Sequence, residues 1–154
     1  MTKSGIFTLF IAFVIMAVAG CKKNDGGNKT ASSSHNSTAS KKMGGVCQNC
    51  HVSGGSGPGW WTVAGTVYTE DLKAFAPNGT IQFFSANLTD TIPVATLEID
   101  QNGNFYSSSL VLPVSGVYPQ ITGTSGNIVM MPQLCTSGNC NYCHGISCAK
   151  IWVN

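Results

Sequence analysis

The chain has 154 residues, a formal net charge of +2 at pH 7, and only 9% charged residues. It contains no arginine, and residues 47–154 carry two lysines against five acidic residues. The globular part therefore lacks the basic surface that nucleic-acid binding requires. The length supplies one small hydrophobic core and is too short for two.

Residues 1–20 form a predicted signal segment. Lys3 precedes an apolar run from Ile6 to Ala19, which is shorter than the roughly 20 residues that a membrane-spanning helix needs. The ending Val18-Ala19-Gly20-Cys21 resembles that of a bacterial lipoprotein signal, and an uncleaved helical anchor is the alternative. The resemblance implies that Cys21 is lipidated and becomes the mature N-terminus. We therefore expect a lipoprotein of the bacterial cell envelope, on the periplasmic or surface face of the outer membrane.

Residues 21–43 are predicted to be a disordered membrane tether. Between Lys22 and Lys42 there is no aromatic residue and no aliphatic residue larger than alanine. Such a stretch cannot bury enough apolar surface to fold. His35, a lone histidine in this polar segment, is expected to be solvated.

Two copies of Cys-x-x-Cys-His lie in the segments 44–60 and 132–154, which we predict to bind haem. This pentapeptide is the attachment signature of c-type haem, in which two thiols add across the haem vinyl groups and the histidine binds the iron. We expect two covalent haem c groups. The predicted attachment residues are Cys47, Cys50, Cys140 and Cys143, and the predicted proximal iron ligands are His51 and His144.

Residues 61–131 have the pattern of an all-β domain. Val63, Gly65 and Val67 share one face of a predicted strand, and turn signals separate short runs of β-branched and aromatic residues. Several short strands at such intervals predict a single Ig-like β-sandwich with a haem-binding segment at each end. The predicted strands are Trp61–Thr69, Thr80–Ser85, Val94–Ile99, Asn104–Leu112, Gly116–Thr122 and Asn127–Met131.

Residues 62–130 also resemble a carboxypeptidase regulatory-like domain, which is a prealbumin-like sandwich. The resemblance is carried by Gly65-Thr66-Val67, by the Asp-x-x-Gly-x-Phe hairpin at 100–105, and by Gly116-Val117-Tyr118. The chain departs from the family at 76–79, where Ala-Pro-Asn-Gly replaces the usual Pro-x-x-Gly-Ala. The resemblance implies a structural or binding module without catalytic residues.

The number of histidines limits how the irons are ligated. If the two motif histidines are proximal ligands, only His35 remains, so at least one iron needs another kind of ligand. Met130 and Met131, shortly upstream of the second motif, are the predicted thioether ligands, and Met43 is a further candidate. The alternative for Met130 or Met131 is a place in the strand core.

Cys135 and Cys148 bracket the second motif, and neither belongs to a Cys-x-x-Cys unit. In an exported protein they are expected to form a disulfide around the second haem, contributing about 3 kcal/mol in the chain-entropy model. Two unpaired thiols are the alternative.

These features together predict a membrane-anchored dihaem c-type cytochrome that transfers electrons outside the cytoplasm. Its expected partners are redox proteins or a terminal acceptor, with self-association also open. There is no nucleophile with a base, no paired carboxylates and no phosphate loop, so an enzyme is not expected. The alternatives are a structural lipoprotein with a tetrathiolate zinc site and a small haem enzyme with an open distal site.

Overall fold

A computed structural model describes residues 28–86 and 91–154 of the chain. Within these residues the protein is an all-β sandwich of two sheets, which confirms the predicted fold class. The first sheet has the strand order β4-β1-β7 and the second the order β3-β2-β5-β6. The strands are β1 Val63–Thr69, β2 Thr80–Ser85, β3 Ala95–Glu98, β4 Asn104–Ser107, β5 Val117–Thr122, β6 Ile128–Met130 and β7 Ile151–Val153.

Two single helical turns lie outside the sheets. A 3-10 turn spans Cys47–Asn49 and the helix α1 spans Cys140–Cys143, so each begins at the first cysteine of a motif. No helix within 28–86 and 91–154 is long and apolar enough to cross a bilayer.

The strand β7 was not predicted from the sequence. Its residues pair in parallel with the end of β1, Val67 with Ile151 and Thr69 with Val153. Three residues are too few to show a periodic pattern, and a parallel pair is joined through a long connection rather than a local turn.

The core lies between the two sheets and is built around Phe83 and Phe105, both fully buried. In β5, buried and half-buried residues alternate, as expected for a strand with one face toward the core. By contrast, all four residues of β4 and the first five of β1 are buried. The outer face of the first sheet is therefore covered by another part of the chain.

Residues 28–45, which we call the N-terminal strap, provide part of this cover, together with Trp61 on Tyr106 and Asn141 on Thr66. The amide of Ser33 donates to the carbonyl of Tyr106 and that of Ser108 donates to the carbonyl of Ala31, both over 2.9 Å. Ser33 and Ser40 are buried. The prediction of a disordered tether is therefore wrong for residues 28–43. Their polar groups pair with the free edge of β4 instead of burying apolar surface. The predicted signal segment, Cys21 and the rest of the tether lie outside the described residues.

The sandwich has two distinguishable ends. At the near end β1 and β5 begin: Cys135 pairs with Val117, and the nearby carbonyl of Gly138 accepts from the amide of Ala64 at 2.8 Å. At the far end β1 and β5 finish, close to the C-terminal Asn154. The strap begins at the near end, turns back at the far end and leads into the first motif.

Candidate functional site: the two Cys-x-x-Cys-His motifs

The first motif folds as a single tight turn. The amide of His51 donates to the carbonyl of Cys47 at 3.0 Å, and the thiol of Cys47 lies 3.6 Å from the carbonyl oxygen of Gly45. This closure brings residues three and four apart in the chain, the two cysteines and the histidine, next to one another along the turn. Cys47 is half-buried, and burial raises its pKa to about 11, so this thiol is protonated at neutral pH.

The second motif repeats this local structure. The amide of His144 donates to the carbonyl of Cys140 at 3.0 Å, and the thiol of Cys140 lies 3.7 Å from the carbonyl of Gly138. Burial, reinforced by the neighbouring Cys135 and Cys47 thiols, raises the pKa of Cys140 to about 12. Two segments with different neighbours thus adopt the same turn with the same cysteine turned inward.

Both histidine rings are oriented by a backbone carbonyl. The Nδ1 of His51 lies 3.0 Å from the carbonyl oxygen of Pro58, and the Nδ1 of His144 lies 2.6 Å from that of Ala149. A carbonyl can only accept, so Nδ1 carries the proton and the Nε2 of the neutral ring keeps a free lone pair. Burial lowers the pKa of His51, against the opposing effect of the Pro58 and Gly59 carbonyls, and so favours this neutral form.

The imidazole of His51 is also held between two groups. The indole of Trp61 stacks on it with ring centroids 3.4 Å apart and planes 11° from parallel. Trp61 in turn stacks on Tyr106 at 4.1 Å. A Cβ added to Gly57 would lie 2.8 Å from the Nδ1 and Cε1 of His51, so only glycine allows the 53–59 loop to pass this close to the ring.

Asn141, the first variable residue of the second motif, joins the two motifs. Its side chain accepts from the amide of Thr66 at 3.0 Å and donates to the carbonyl of Gly45 at 2.8 Å and to the Thr66 hydroxyl at 3.0 Å. Gly45 directly precedes the first motif's turn, and Asn141 is only 3% exposed. The structure thus places the two motifs side by side along β1. Nothing in the sequence distinguishes this asparagine from an ordinary residue between the two cysteines.

Gly65 in β1 allows the second motif to pack closely against the core. A Cβ on Gly65 would clash with the ring of Phe105 and would lie 3.0 Å from the Cβ of Cys140. Cys140 packs against the hydrophobic core through this gap. The first motif has no equivalent contact among the core residues.

His35 lies away from both motifs. Its Nε2 is 2.9 Å from the carbonyl of Gly79 and its backbone amide donates to the carboxylate of Glu98 at 2.8 Å, both at the far end. The expectation that it is simply solvated is therefore wrong: the ring fastens the strap to the second sheet.

The methionines occupy different parts of the fold. Met130 and Met131 belong to β6 and the residue after it, and β6 packs against β5 and β7, whereas both motif turns pack against β1. Met43 precedes Gly44, whose amide donates to the Thr66 hydroxyl at 2.9 Å. Met43 thus adjoins the junction of the two motifs, and iron ligation by Met130 or Met131 stays a prediction.

The predicted disulfide between Cys135 and Cys148 is not formed in the structure, where all six cysteines of the described residues are free thiols. Cys135 pairs with Val117 at the near end and its thiol donates to the carbonyl of Ser137 at 2.9 Å. Cys148 pairs instead with His144 in the loop that closes the second motif. The two residues are thus held by different elements.

In the part of the chain that the structure describes, no three histidine, cysteine or carboxylate side chains stand close enough to hold one metal ion. The four motif cysteines therefore do not form the tetrathiolate arrangement. Each motif is instead flanked by two exposed large apolar side chains. These are Val52 and Trp60 beside the first motif and Tyr142 and Ile146 beside the second.

Comparison with known proteins finds no matching family model, no matching curated protein and no matching solved structure.

Proposed function

We propose that this protein is a dihaem c-type cytochrome, anchored to a membrane by a lipid on Cys21, that transfers electrons outside the cytoplasm. The β-sandwich is its scaffold. The thioethers would form at Cys47, Cys50, Cys140 and Cys143, and the proximal iron ligands would be His51 and His144.

The observation that carries the proposal is the common conformation of the two motifs. In each, the histidine amide donates to the carbonyl of the first cysteine to close a single turn, and a carbonyl holds the Nδ1 proton so that Nε2 is free to bind iron. A hydrogen bond from the second ring nitrogen of a ligating histidine fixes its tautomer and raises its basicity. A motif that served only as a disulfide or a turn would not need this arrangement of the histidine.

The surroundings of the motifs also fit a large apolar cofactor. Trp60 and Tyr142 are large exposed side chains beside the motifs. Their apolar surface is of the kind that a bound haem would cover. Adding a cysteine thiol across a vinyl group forms the C–S bond and moves the thiol proton to the neighbouring vinyl carbon, so the attachment needs no leaving group.

Haem supplies one-electron chemistry when bound, and the chain sets how that chemistry is used. The thioethers would keep the cofactor attached in both oxidation states. The clamp from Asn141 to Gly45 holds the two motifs next to each other, so that an electron received at one would pass to the other over a short distance. We propose no substrate turnover. The partner that delivers or removes electrons is a redox protein or a terminal acceptor, and self-association of the protein is compatible with this role.

The test uses protein produced with a cytochrome c maturation system. Variants Cys47→Ser/Cys50→Ser and Cys140→Ser/Cys143→Ser should each retain one covalent haem, and the unchanged protein should retain two. Pyridine haemochrome spectra give the count, and reversible reduction and reoxidation of the α-band tests electron transfer. Stoichiometric zinc without covalent haem in the unchanged protein would overturn the proposal.

A further inference from the structure

Exposed apolar side chains are concentrated at the near end of the sandwich. Three segments contribute them: the stretch before β3, the loop from β4 to β5, and the stretch after β6. None of these segments contains a residue of a Cys-x-x-Cys-His motif, and of their exposed side chains only Leu134 lies in a predicted haem-binding segment. We call this set the apolar rim: its members are 41% to 101% exposed and are Ile92, Val94, Val111, Val114 and Leu134.

The acidic residues are concentrated at the opposite end of the sandwich from the apolar rim. Every acidic residue of the described part of the chain lies at the far end, after the last residue of β1 or at the end of β3. Asp25 and Asp90 lie outside the described residues. The acidic residues at the far end are Glu70, Asp71, Glu98 and Asp100.

The chain enters the domain at the near end. The side-chain oxygen of Asn28 accepts from the amide of Trp60 at 2.8 Å, and the strap then pairs Ala31 with Ser108 just after β4. Seven residue steps separate Cys21 from Asn28, which span at most roughly 25 Å when fully extended. A lipid on Cys21 would therefore hold the near end, and not the far end, close to the membrane.

We propose that the near end docks through its apolar rim on the surface of the lipid bilayer. This inference rests on the proposed lipid anchor. The short connection between Cys21 and Asn28 raises the effective concentration of the rim at the bilayer once the lipid is inserted. A surface with only weak affinity for the bilayer can therefore dock. Aliphatic side chains enter the interfacial region favourably, while the acidic far end points away from anionic head groups.

Hydroxyl-radical footprinting tests the pose on the lipidated full chain in phosphatidylcholine vesicles containing phosphatidylglycerol. The reference is the unlipidated Cys21→Ser protein in the same suspension. We expect several-fold lower oxidation of Ile92, Val94 and Leu134 in the lipidated protein, with Leu72 and Ile128 at the far end unchanged. Equal oxidation at both ends, or protection of the far end alone, would overturn the docking surface.

A pair of variants separates docking from anchoring. Val111→Asp with Val114→Asp should restore oxidation of Ile92 and Val94 while the protein still sediments with the vesicles, and the matched far-end change Ile128→Asp should leave their protection intact. Protection that survives the double change would overturn the proposal. A mature N-terminal peptide without acyl chains would overturn the anchor and the docking surface together, whereas the covalent haem count would be unaffected by either result.

Discussion

The two motifs have the same local structure but different supports. The first is held from outside the sandwich, by the glycine-rich loop at Gly57 and by the indole of Trp61 stacked on His51. The second is seated in the domain itself, with Cys140 against the core and Asn141 buried on β1. The five-residue motif forms the turn in both places, while its contacts with the neighbouring strand determine the stability of that turn. We therefore expect changes at the second motif to affect the stability of the whole domain, and changes at the first to act locally.

The largest contrast is expected between Asn141 and Gln48, which occupy the same position in the two motifs. Asn141→Ala removes three hydrogen bonds and leaves the buried Thr66 amide without a partner, which should cost about 3 kcal/mol. Gln48→Ala removes a half-buried bond to the Trp61 carbonyl of 2.7 Å and should cost about 1 kcal/mol. Urea unfolding measures both. Equal losses of stability in the two variants would mean that the second motif is not coupled to the core more tightly than the first.

Two glycines sharpen the comparison by acting on one motif each. Gly65→Ala places a methyl group against Phe105 and Cys140, and should cost about 2 kcal/mol and reduce haem attachment at the second motif. Gly57→Ala crowds the His51 ring and should disturb only the first site, with a smaller loss of stability. Haem content of each motif, measured on tryptic peptides, distinguishes the two. If either change reduced haem attachment equally at both motifs, the inference that the two motifs are supported separately would be wrong.

A smaller effect is expected at Trp61, whose ring stacks on His51 and on Tyr106. Trp61→Leu removes stacking worth about 1 kcal/mol and frees the His51 imidazole to rotate. We expect a shifted low-temperature EPR signal for the first haem and an unchanged one for the second. Trp61→Phe, which retains an aromatic ring, is the matched control. Identical spectra for both variants and the unchanged protein would remove Trp61 from the positioning of His51.

The smallest perturbation is chemical labelling of the protein made without haem. Cys143 and Cys148 are exposed, whereas burial raises the pKa of Cys47 to about 11 and that of Cys140 to about 12. Because the thiolate is the reactive form, iodoacetamide at pH 8 should label the exposed pair at least about tenfold faster. Timed mass spectrometry of the peptides measures the rates. Fast labelling of Cys140 would show that it does not pack against the core.

Much of the fold was predictable because alternation and turn residues are local signals. The strand Thr80–Ser85 has the predicted bounds. The haem chemistry inferred from the spacing of Cys and His stays a prediction. The strap was not predictable, since Ser33 and Ser40 are buried by hydrogen bonds to strands that lie far away in the chain. The role of Asn141 was hidden for the same reason: its partners Thr66 and Gly45 become neighbours only when the sheet has formed.

The intact mass of the purified mature protein after acid–acetone extraction tests the central claim most directly. Non-covalent haem is removed by this treatment, while thioether-bound haem remains. The account predicts the mass of the lipidated chain from Cys21 onward plus two haem groups, and one haem group fewer in each of the double cysteine variants. A mass equal to that of the polypeptide and its lipid alone would contradict it.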